Sequence, residues 1–188
     1  NLGAVIVLAL VAITTAWAGY QSSRYSGMAG QEASAASALR TSAYNAESAG
    51  NDKLIIDMTV FTAWLEAYSS ENQALAHFYQ ERMRSEFMPA FQAWVAMDPL
   101  HNDDAPTSPF VMAEYVLADQ VRAADLMAQV ETKAENFEIY NARGDGYLFV
   151  SVLLALVLFF VTIAQRFETP KFRFVVAAMG LVILVWAL

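Results

Sequence analysis

Apolar residues along this chain are concentrated in three blocks, and a long segment of mixed polarity separates the first block from the second. The blocks are residues 2–18, 146–165 and 172–188; the first two contain no Asp, Glu, Lys or Arg, and the third contains only Arg173. A helix that crosses a bilayer needs about 20 apolar residues, within a range of about 17–25. The pattern therefore predicts an all-α membrane protein with three transmembrane helices.

Two other interpretations of these blocks stay open. The first block could be a cleaved signal peptide, because Ala16-Trp17-Ala18 resembles a cleavage site of small residues. The second and third blocks could form a buried hairpin of a soluble protein. A chain of 188 residues has too small a soluble core to hide two such helices, which favours the membrane spans.

The segment of residues 19–145 is predicted to form a helical bundle or stalk between spans 1 and 2. Its apolar positions recur with helical spacing over residues 19–49, 53–97 and 110–142. Gly50-Asn51-Asp52 is predicted to end the first of these helices, since Gly is a common C-terminal stop and Asn or Asp can start the next helix. The prolines of residues 98–109 predict a loop, and Gly144 and Gly146 predict a hinge or a helix break.

The second predicted helix carries an aromatic stripe and a proline. Its stripe consists of Phe61, Leu65, Tyr68, Leu75, Tyr79, Met83, Phe87, Phe91 and Trp94. Steps of three, four and seven residues are typical of a buried helix face, so we interpret the stripe as core and not as a ligand cage. Pro89 is predicted to kink this helix or to divide it in two.

Small residues recur on one face of the first predicted helix. Ala29, Ala33 and Ala36 have three- and four-residue spacing, and small residues let helices approach closely. We therefore predict a possible helix-packing seam at these alanines. The alternative is that the alanines only reflect high helix propensity.

Four charged residues precede Pro89 in the sequence. Glu81, Arg82, Arg84 and Glu86 could form a buried network that fixes the predicted kink. The alternative is a solvated face, on which such ion pairs contribute little stability.

Charge along the chain predicts its orientation in the membrane. The short loop of residues 166–171 together with Arg173 carries three cations, and basic residues in short loops mark the cytoplasmic side. Residues 19–145 are then extracytoplasmic, with 8 Lys or Arg against 18 Asp or Glu. The chain's net charge of −8 argues against a nucleic-acid partner.

Candidate chemistry is sparse. His77 with Glu81, or Asp98 and His101 with Asp103 and Asp104, could begin a metal site, but neither spacing matches a known metal loop, and surface hydrogen bonds and a solvated acidic loop are the favoured interpretations. The chain has no Cys, and no catalytic or nucleotide-binding motif occurs. We therefore predict no enzymatic activity and no cofactor.

Several short segments of the sequence resemble segments of other proteins. They are Trp17-Ala-Gly-Tyr20-Gln21-Ser-Ser-Arg24, the run from Glu81 to Trp94, Asp98-Pro99-Leu100, and the run from Ala105 to Tyr115. Over about residues 14–166 the chain resembles a group of small bacterial membrane proteins of uncharacterised activity, with three spans and an extracytoplasmic helical domain. The resemblance implies a bacterial inner (cytoplasmic) membrane and this topology, and it implies no mechanism.

The expected function follows from what these patterns favour. We expect a non-enzymatic membrane protein that contacts the lipid bilayer and acts as a homo-oligomer, or as an accessory or scaffold subunit whose helical domain binds a partner membrane protein. The alternative is a homo-oligomeric ion channel, in which a ring of copies encloses the pore and an acidic vestibule favours cations.

Overall fold

The computed structural model describes residues 2–166 together with 175, 178–180 and 182. Within that part the chain forms α1 (Leu2–Ser69), α2 (Gln73–Gln80), α3 (Met88–Val95), a short 3-10 helix (Pro109–Val111) and α4 (Ala118–Ala164), and it contains no strand. The predicted all-α class is confirmed. The predicted third span of residues 172–188, and the basic loop after Arg166, lie almost entirely outside the described residues.

The chain divides into two compact units, and α1 and α4 contribute to both of them. One unit, here called the paired-helix unit, comprises residues 1–36 and 131–188. The other unit, here called the aromatic unit, comprises residues 37–130 and also contains α2, α3 and the loop that precedes α4.

In the paired-helix unit α1 and α4 lie antiparallel. Val11 packs with Leu154 and Val157, and the rings of Trp17 and Tyr147 meet edge to face with their centroids 5.5 Å apart. Small side chains on the facing surfaces allow a close approach. A Cβ atom added to Gly144 would lie 3.3 Å from the Ser26 hydroxyl oxygen, so this glycine leaves room for the backbone of α1.

Burial along α1 follows a seven-residue period. The buried positions at this period are Ser22, Ala29, Ala36, Ala43, Gly50, Asp57 and Trp64. A strict seven-residue repeat keeps one seam of a helix against an antiparallel or parallel neighbour. The seam predicted from the sequence contains two positions of this repeat, Ala29 and Ala36, but not its full length.

The predicted helix break at Gly50-Asn51-Asp52 is wrong, because α1 continues through it to Ser69. Gly50 is buried against α4, where an added Cβ atom would lie 2.8 Å from Gln120 Cγ and 3.6 Å from Asp119 Cβ. The packing of α4 therefore explains this glycine, and tertiary contact outweighs its low helix propensity.

The predicted helix of residues 53–97 is also wrong, because three separate helices occupy that range. α1 ends at Ser69, Glu71 adopts a positive φ of 59°, and Asn72 caps α2 by accepting a hydrogen bond from the Leu75 amide at 3.2 Å. α3 then begins at Met88 with Pro89 in its first turn. A proline there needs no hydrogen-bond donor, so it lies at the start of a helix. The predicted kink is therefore wrong, whereas the predicted alternative of a division is present, between α2 and α3.

The predicted third helix begins later and ends later than residues 110–142. Only Pro109–Val111 forms a 3-10 helix, and α4 runs from Ala118 to Ala164. Gly144 and Gly146 lie inside α4, so the predicted helix break at these glycines is wrong, whereas the predicted hinge stays a prediction. The close approach of α1 at Gly144 accounts for one of the two glycines.

One helix of the described part is long and apolar enough to cross a membrane. α4 contains an 18-residue window with a mean hydropathy of 2.8, and 17% of that window is buried within the chain. Its apolar side chains, among them Leu148, Val152 and Phe159, are therefore mostly exposed. The spans predicted at residues 2–18 and 172–188 remain predictions.

The close contact at Gly50 generates a stability prediction. Gly50→Leu should lower the free energy of unfolding by about 1–3 kcal/mol, because the larger side chain overpacks the contact with Asp119 and Gln120. Chemical unfolding of the full chain in mild detergent, followed by circular dichroism, measures the change.

Gly30→Leu is the matched control on the same helix. An added Cβ atom at Gly30 meets no atom within 4 Å, so this substitution should be neutral or should stabilise the helix by up to about 1 kcal/mol. Equal effects of the two substitutions would contradict the close α1–α4 contact at Gly50.

Candidate functional site

An aromatic core organises the aromatic unit. It contains Phe61 and Trp64 of α1, Phe87, Phe91 and Trp94 of the α3 region, and Phe110 and Tyr115 of the loop before α4. Phe61 meets Phe87, Trp94 and Phe110 edge to face at centroid distances of 5.3–6.2 Å. Such contacts add to the burial of large apolar side chains, so this core fixes the positions of the residues around it.

Two contacts of this core hold the loop that precedes α4. The Trp94 indole Nε1 donates a hydrogen bond to the Pro106 carbonyl oxygen at 2.6 Å. Phe110 stacks on Phe87 with a centroid distance of 5.1 Å. The Tyr115 ring in turn meets Phe110 and Phe87 edge to face at centroid distances of 5.2 and 5.7 Å, which gives Tyr115 a defined position beside α1.

A buried carboxylate lies next to this core. Asp57 is 1% exposed, and its Oδ2 accepts a hydrogen bond from the Tyr115 hydroxyl at 3.0 Å. The Arg84 Nη1 lies 3.6 Å from the same oxygen, and the Asp57 Oδ1 has no hydrogen-bond partner among the described protein atoms. The carboxylate is thus incompletely satisfied by the protein, and leaving a buried acceptor unpaired costs stability.

Two further ion pairs flank Asp57. Arg84 also pairs with Glu86, which is more exposed, and Lys53 pairs with Asp119 at the start of α4. Lys53 lies one helical turn before Asp57 on α1. Together these residues connect α1, the α2–α3 connection and α4 by charge, and we call Lys53, Asp57, Arg84, Glu86, Tyr115 and Asp119 the polar cluster.

Two carboxylates of the polar cluster, Asp57 and Asp119, have pKa values shifted in opposite directions. Burial raises the pKa of Asp57, although the Tyr115 hydrogen bond and the charge of Arg84 act against that rise. Burial and the neighbouring Asp57 also raise the pKa of Tyr115, which stays protonated as a donor. The hydrogen bond from Lys53 lowers the pKa of Asp119.

A surface pocket opens on the other side of the aromatic core. It has a volume of about 510 Å³, and the rings of Trp64, Tyr68 and Phe91 form its walls. Trp64 and Tyr68 stack with centroids 4.9 Å apart, and Gln73, His77, Gln80 and Gln92 supply polar groups around it. Aromatic walls with a few polar side chains are typical of surface pockets that bind small groups.

The described part of the chain contains no group of three or more His, Cys, Asp or Glu side chains placed to hold a metal ion. Asp57 is the one carboxylate of the polar cluster that is buried, and the partly buried Arg84 guanidinium and Tyr115 phenol lie beside it.

The residues predicted as a kink network fall into two groups. Arg84 and Glu86 join the polar cluster. Arg82 instead donates to the Phe78 carbonyl oxygen at 2.9 Å and lies over the Phe78 ring, and Glu81 lies 3.7 Å from the His77 ring. Pro89 is exposed in the first turn of α3, so these groups surround a turn between helices and not a kink.

The residues of the predicted seam, and the acidic loop that was disfavoured as a metal site, lie as follows. Ala29 and Ala36 are buried within the paired-helix unit, while Ala33 is exposed. Lys133 of α4 pairs with Glu32 at 3.0 Å, which places α4 beside the face that holds Ala29 and Ala36. His101 Nδ1 lies 3.0 Å from Asp98 Oδ1 in an exposed loop that also carries Asp103 and Asp104.

Asp57, Tyr115, Lys53 and Asp119 were missed by the sequence analysis. They are far apart in sequence: Tyr115 lies 58 residues after Asp57, and Asp119 lies 66 residues after Lys53. One signal was present, since Asp57 occupies the seven-residue repeat that Ala36, Ala43 and Gly50 otherwise fill with small residues. A charged residue at a buried repeat position requires a partner.

Comparisons of the chain with known protein families, with curated proteins and with solved structures found no match. Its function is therefore inferred from the chemistry and the exposure of its own residues.

The raised pKa of Asp57 predicts a pH-dependent stability. A carboxyl whose pKa is higher in the folded chain stabilises the fold when protonated, and this contribution is lost as pH rises from 3.8 through the folded value. The free energy of unfolding of the wild type should therefore fall relative to that of Asp57→Asn over this range. Denaturant unfolding followed by tryptophan fluorescence measures both.

Asp119→Asn is the control, for which the expected change of stability with pH has the opposite sign. Because the pKa of Asp119 is lowered, its contribution is present above the unfolded pKa and is lost as pH falls. The wild type should gain stability relative to Asp119→Asn as pH rises. If the difference in unfolding free energy between wild type and variant changed with pH in the same direction for Asp57→Asn and Asp119→Asn, burial of Asp57 could not be the cause of its pH dependence.

Proposed function

We propose that the chain is an integral membrane protein that acts by assembly and not by catalysis, and that it holds the aromatic unit on one side of the bilayer. The observation that carries the proposal is that α1 and α4 change from polar to apolar at the same height along the helix pair. Trp17 of α1 and Tyr147 of α4 are in contact at that level. Trp and Tyr are enriched at the boundary between lipid and water.

The apolar portions of both helices lie on the same side of this contact. On α1 the exposed apolar side chains before Trp17 are Val5, Ile6, Leu10 and Ile13, and on α4 those after Tyr147 are Leu148, Val152, Leu156 and Phe159. Water disfavours so much exposed apolar surface, whereas lipid accommodates it. If both segments cross the bilayer, residues 19–145 emerge on one side.

We further propose the bacterial inner membrane, with residues 19–145 extracytoplasmic and a third span at residues 172–188. The charge pattern supports the orientation, since Arg166, Lys171 and Arg173 are concentrated after the apolar part of α4, and the bacterial membrane rests on the resemblance alone.

The orientation can be tested with single cysteines, because the chain has no native Cys. A cysteine at Thr107, which is exposed in the loop before α4, should react with an impermeant thiol reagent in cells with a permeable outer membrane. A cysteine at Thr169 should react only after lysis. The reverse labelling would overturn the orientation, and release of the protein by carbonate would overturn the membrane proposal.

The surface that we propose for assembly is an exposed face of α1 in the aromatic unit. It consists of Ile55, Met58, Thr59, Thr62, Ala63 and Glu66, which share one side of the helix and line a shallow depression. Ile55 is 61% exposed and Met58 is 49% exposed. Apolar side chains clustered in this way favour contact with a second copy of the chain.

Ile55→Lys should therefore reduce the oligomer to protomers, because a charge would be buried at the contact. Light scattering of the purified protein in mild detergent gives the particle mass. Thr41→Lys adds the same charge at an exposed polar position of α1 and should leave the oligomer intact.

The same preparation distinguishes the other functions. Co-purification of a second protein at fixed stoichiometry, lost in Ile55→Lys, would replace the homo-oligomer with an accessory role. A ring with a central hole in particle images would favour the ion channel. A wild-type particle with the mass of one protomer would contradict the homo-oligomer.

A further inference from the structure

We propose that a pocket between Tyr25 of α1 and the Arg143–Val150 stretch of α4 binds the phosphate headgroup of an anionic phospholipid. The inference rests on the proposed membrane function, because it needs this level of the helix pair to lie at the lipid surface. It adds a ligand class and a site, which the membrane proposal by itself does not specify.

The pocket is built entirely within the paired-helix unit. Tyr25, Arg143, Gly146, Tyr147 and Val150 line an open depression of about 500 Å³. The Tyr25 and Tyr147 rings stack with centroids 5.7 Å apart, and the Arg143 guanidinium carbon lies 5.9 Å from the Tyr25 centroid. Two stacked rings thus form a rigid wall beside a cation.

The lining residues change from polar to apolar along α4. Arg143 lies at the polar end, Tyr147 lies at the level of Trp17, and Val150 lies within the uncharged segment of residues 146–165. An anionic headgroup at Arg143 would therefore leave its acyl chains beside Val150, two helical turns further along the same face of α4. A free anion would use only the polar end, which favours a lipid as the occupant.

The charges around the pocket favour an anion. Arg143 and Arg24 are exposed, and within the described residues neither forms an ion pair, whereas Lys133 of the same unit pairs with Glu32. The nearest acidic residue along α4, Asp145, accepts a hydrogen bond from the Asn141 side-chain amide at 3.2 Å. A guanidinium suits phosphate because it offers several donors in a planar fork.

Gly146 keeps the floor of the pocket open. A Cβ atom added there meets no atom within 4 Å, so a larger side chain fits without disturbing the helix pair. Gly146→Leu is therefore a variant that fills the pocket and at the same time raises helix propensity. This variant tests the site even if a substitution of Arg143 were to destabilise the fold.

The test titrates the purified full-length chain in mild nonionic detergent with phosphatidylglycerol, phosphatidylcholine or inorganic phosphate, and follows the thermal unfolding midpoint. Phosphatidylglycerol should stabilise the wild type at lower concentration than phosphatidylcholine, and inorganic phosphate should not reproduce the effect. Arg143→Gln should raise the half-maximal phosphatidylglycerol concentration by about fivefold, the value expected for one cation near a lipid surface. Gly146→Leu should raise it similarly.

Arg122→Gln is the matched control, since Arg122 is an exposed arginine of α4 in the aromatic unit. It should leave the titration unchanged. Equal stabilisation by the two lipids, equal stabilisation by inorganic phosphate, or an unchanged titration in Gly146→Leu would overturn the lipid site. Carbonate extraction of the same variants separates the two proposals: retention in the membrane with no lipid effect contradicts only the site.

Discussion

The close antiparallel contact of α1 with α4 is the constraint on which the rest of the structure depends. Small residues at seven-residue intervals on α1 make this contact possible, and Gly144 and Gly50 leave room where a Cβ atom would meet the neighbouring helix. Helices that approach so closely gain many weak packing contacts, while any larger side chain in the seam forces a displacement. This explains why α1 continues through Gly50, where local sequence favours a stop.

In the aromatic unit, the seven-residue repeat of α1 carries larger and polar side chains. At Asp57 and Trp64 the repeat changes from small residues to a carboxylate and an indole, and α2, α3 and the following loop pack there. Burying Asp57 has an electrostatic cost, which Tyr115 and Arg84 offset only in part, since one carboxylate oxygen has no protein partner. Buried polar groups of this kind are most effective at specifying one arrangement, so we interpret the polar cluster as the device that selects how the loop meets α1.

The paired-helix unit shows how one contact can serve the proposed membrane function. Trp17, Tyr147 and Tyr25 lie where the polar part of the pair gives way to the apolar part, and Arg143 adds a cation at that level. The aromatic rings and the cation satisfy different parts of a lipid–water boundary. The proposed headgroup site and the proposed spans therefore use the same side chains, which links the position of the protein in the bilayer to the packing of its two long helices.

The sequence by itself determined the helical class, the apolar stretch of α4 and the absence of a catalytic motif, because apolar periodicity and run length are local properties of the chain. It also identified most of the aromatic core, since Phe61, Phe87, Phe91 and Trp94 repeat with helical spacing. Only the tertiary structure decided where helices end and which polar residues meet. The local sequence predicts a helix end at Gly50, but this glycine lies in the contact with α4. It predicts a kink at Pro89, but this proline lies in the first turn of α3. Asp57 and Tyr115 are 58 residues apart in sequence and form a hydrogen bond only in the folded chain. Such pairings depend on how the chain folds back on itself, and no local pattern contains that information.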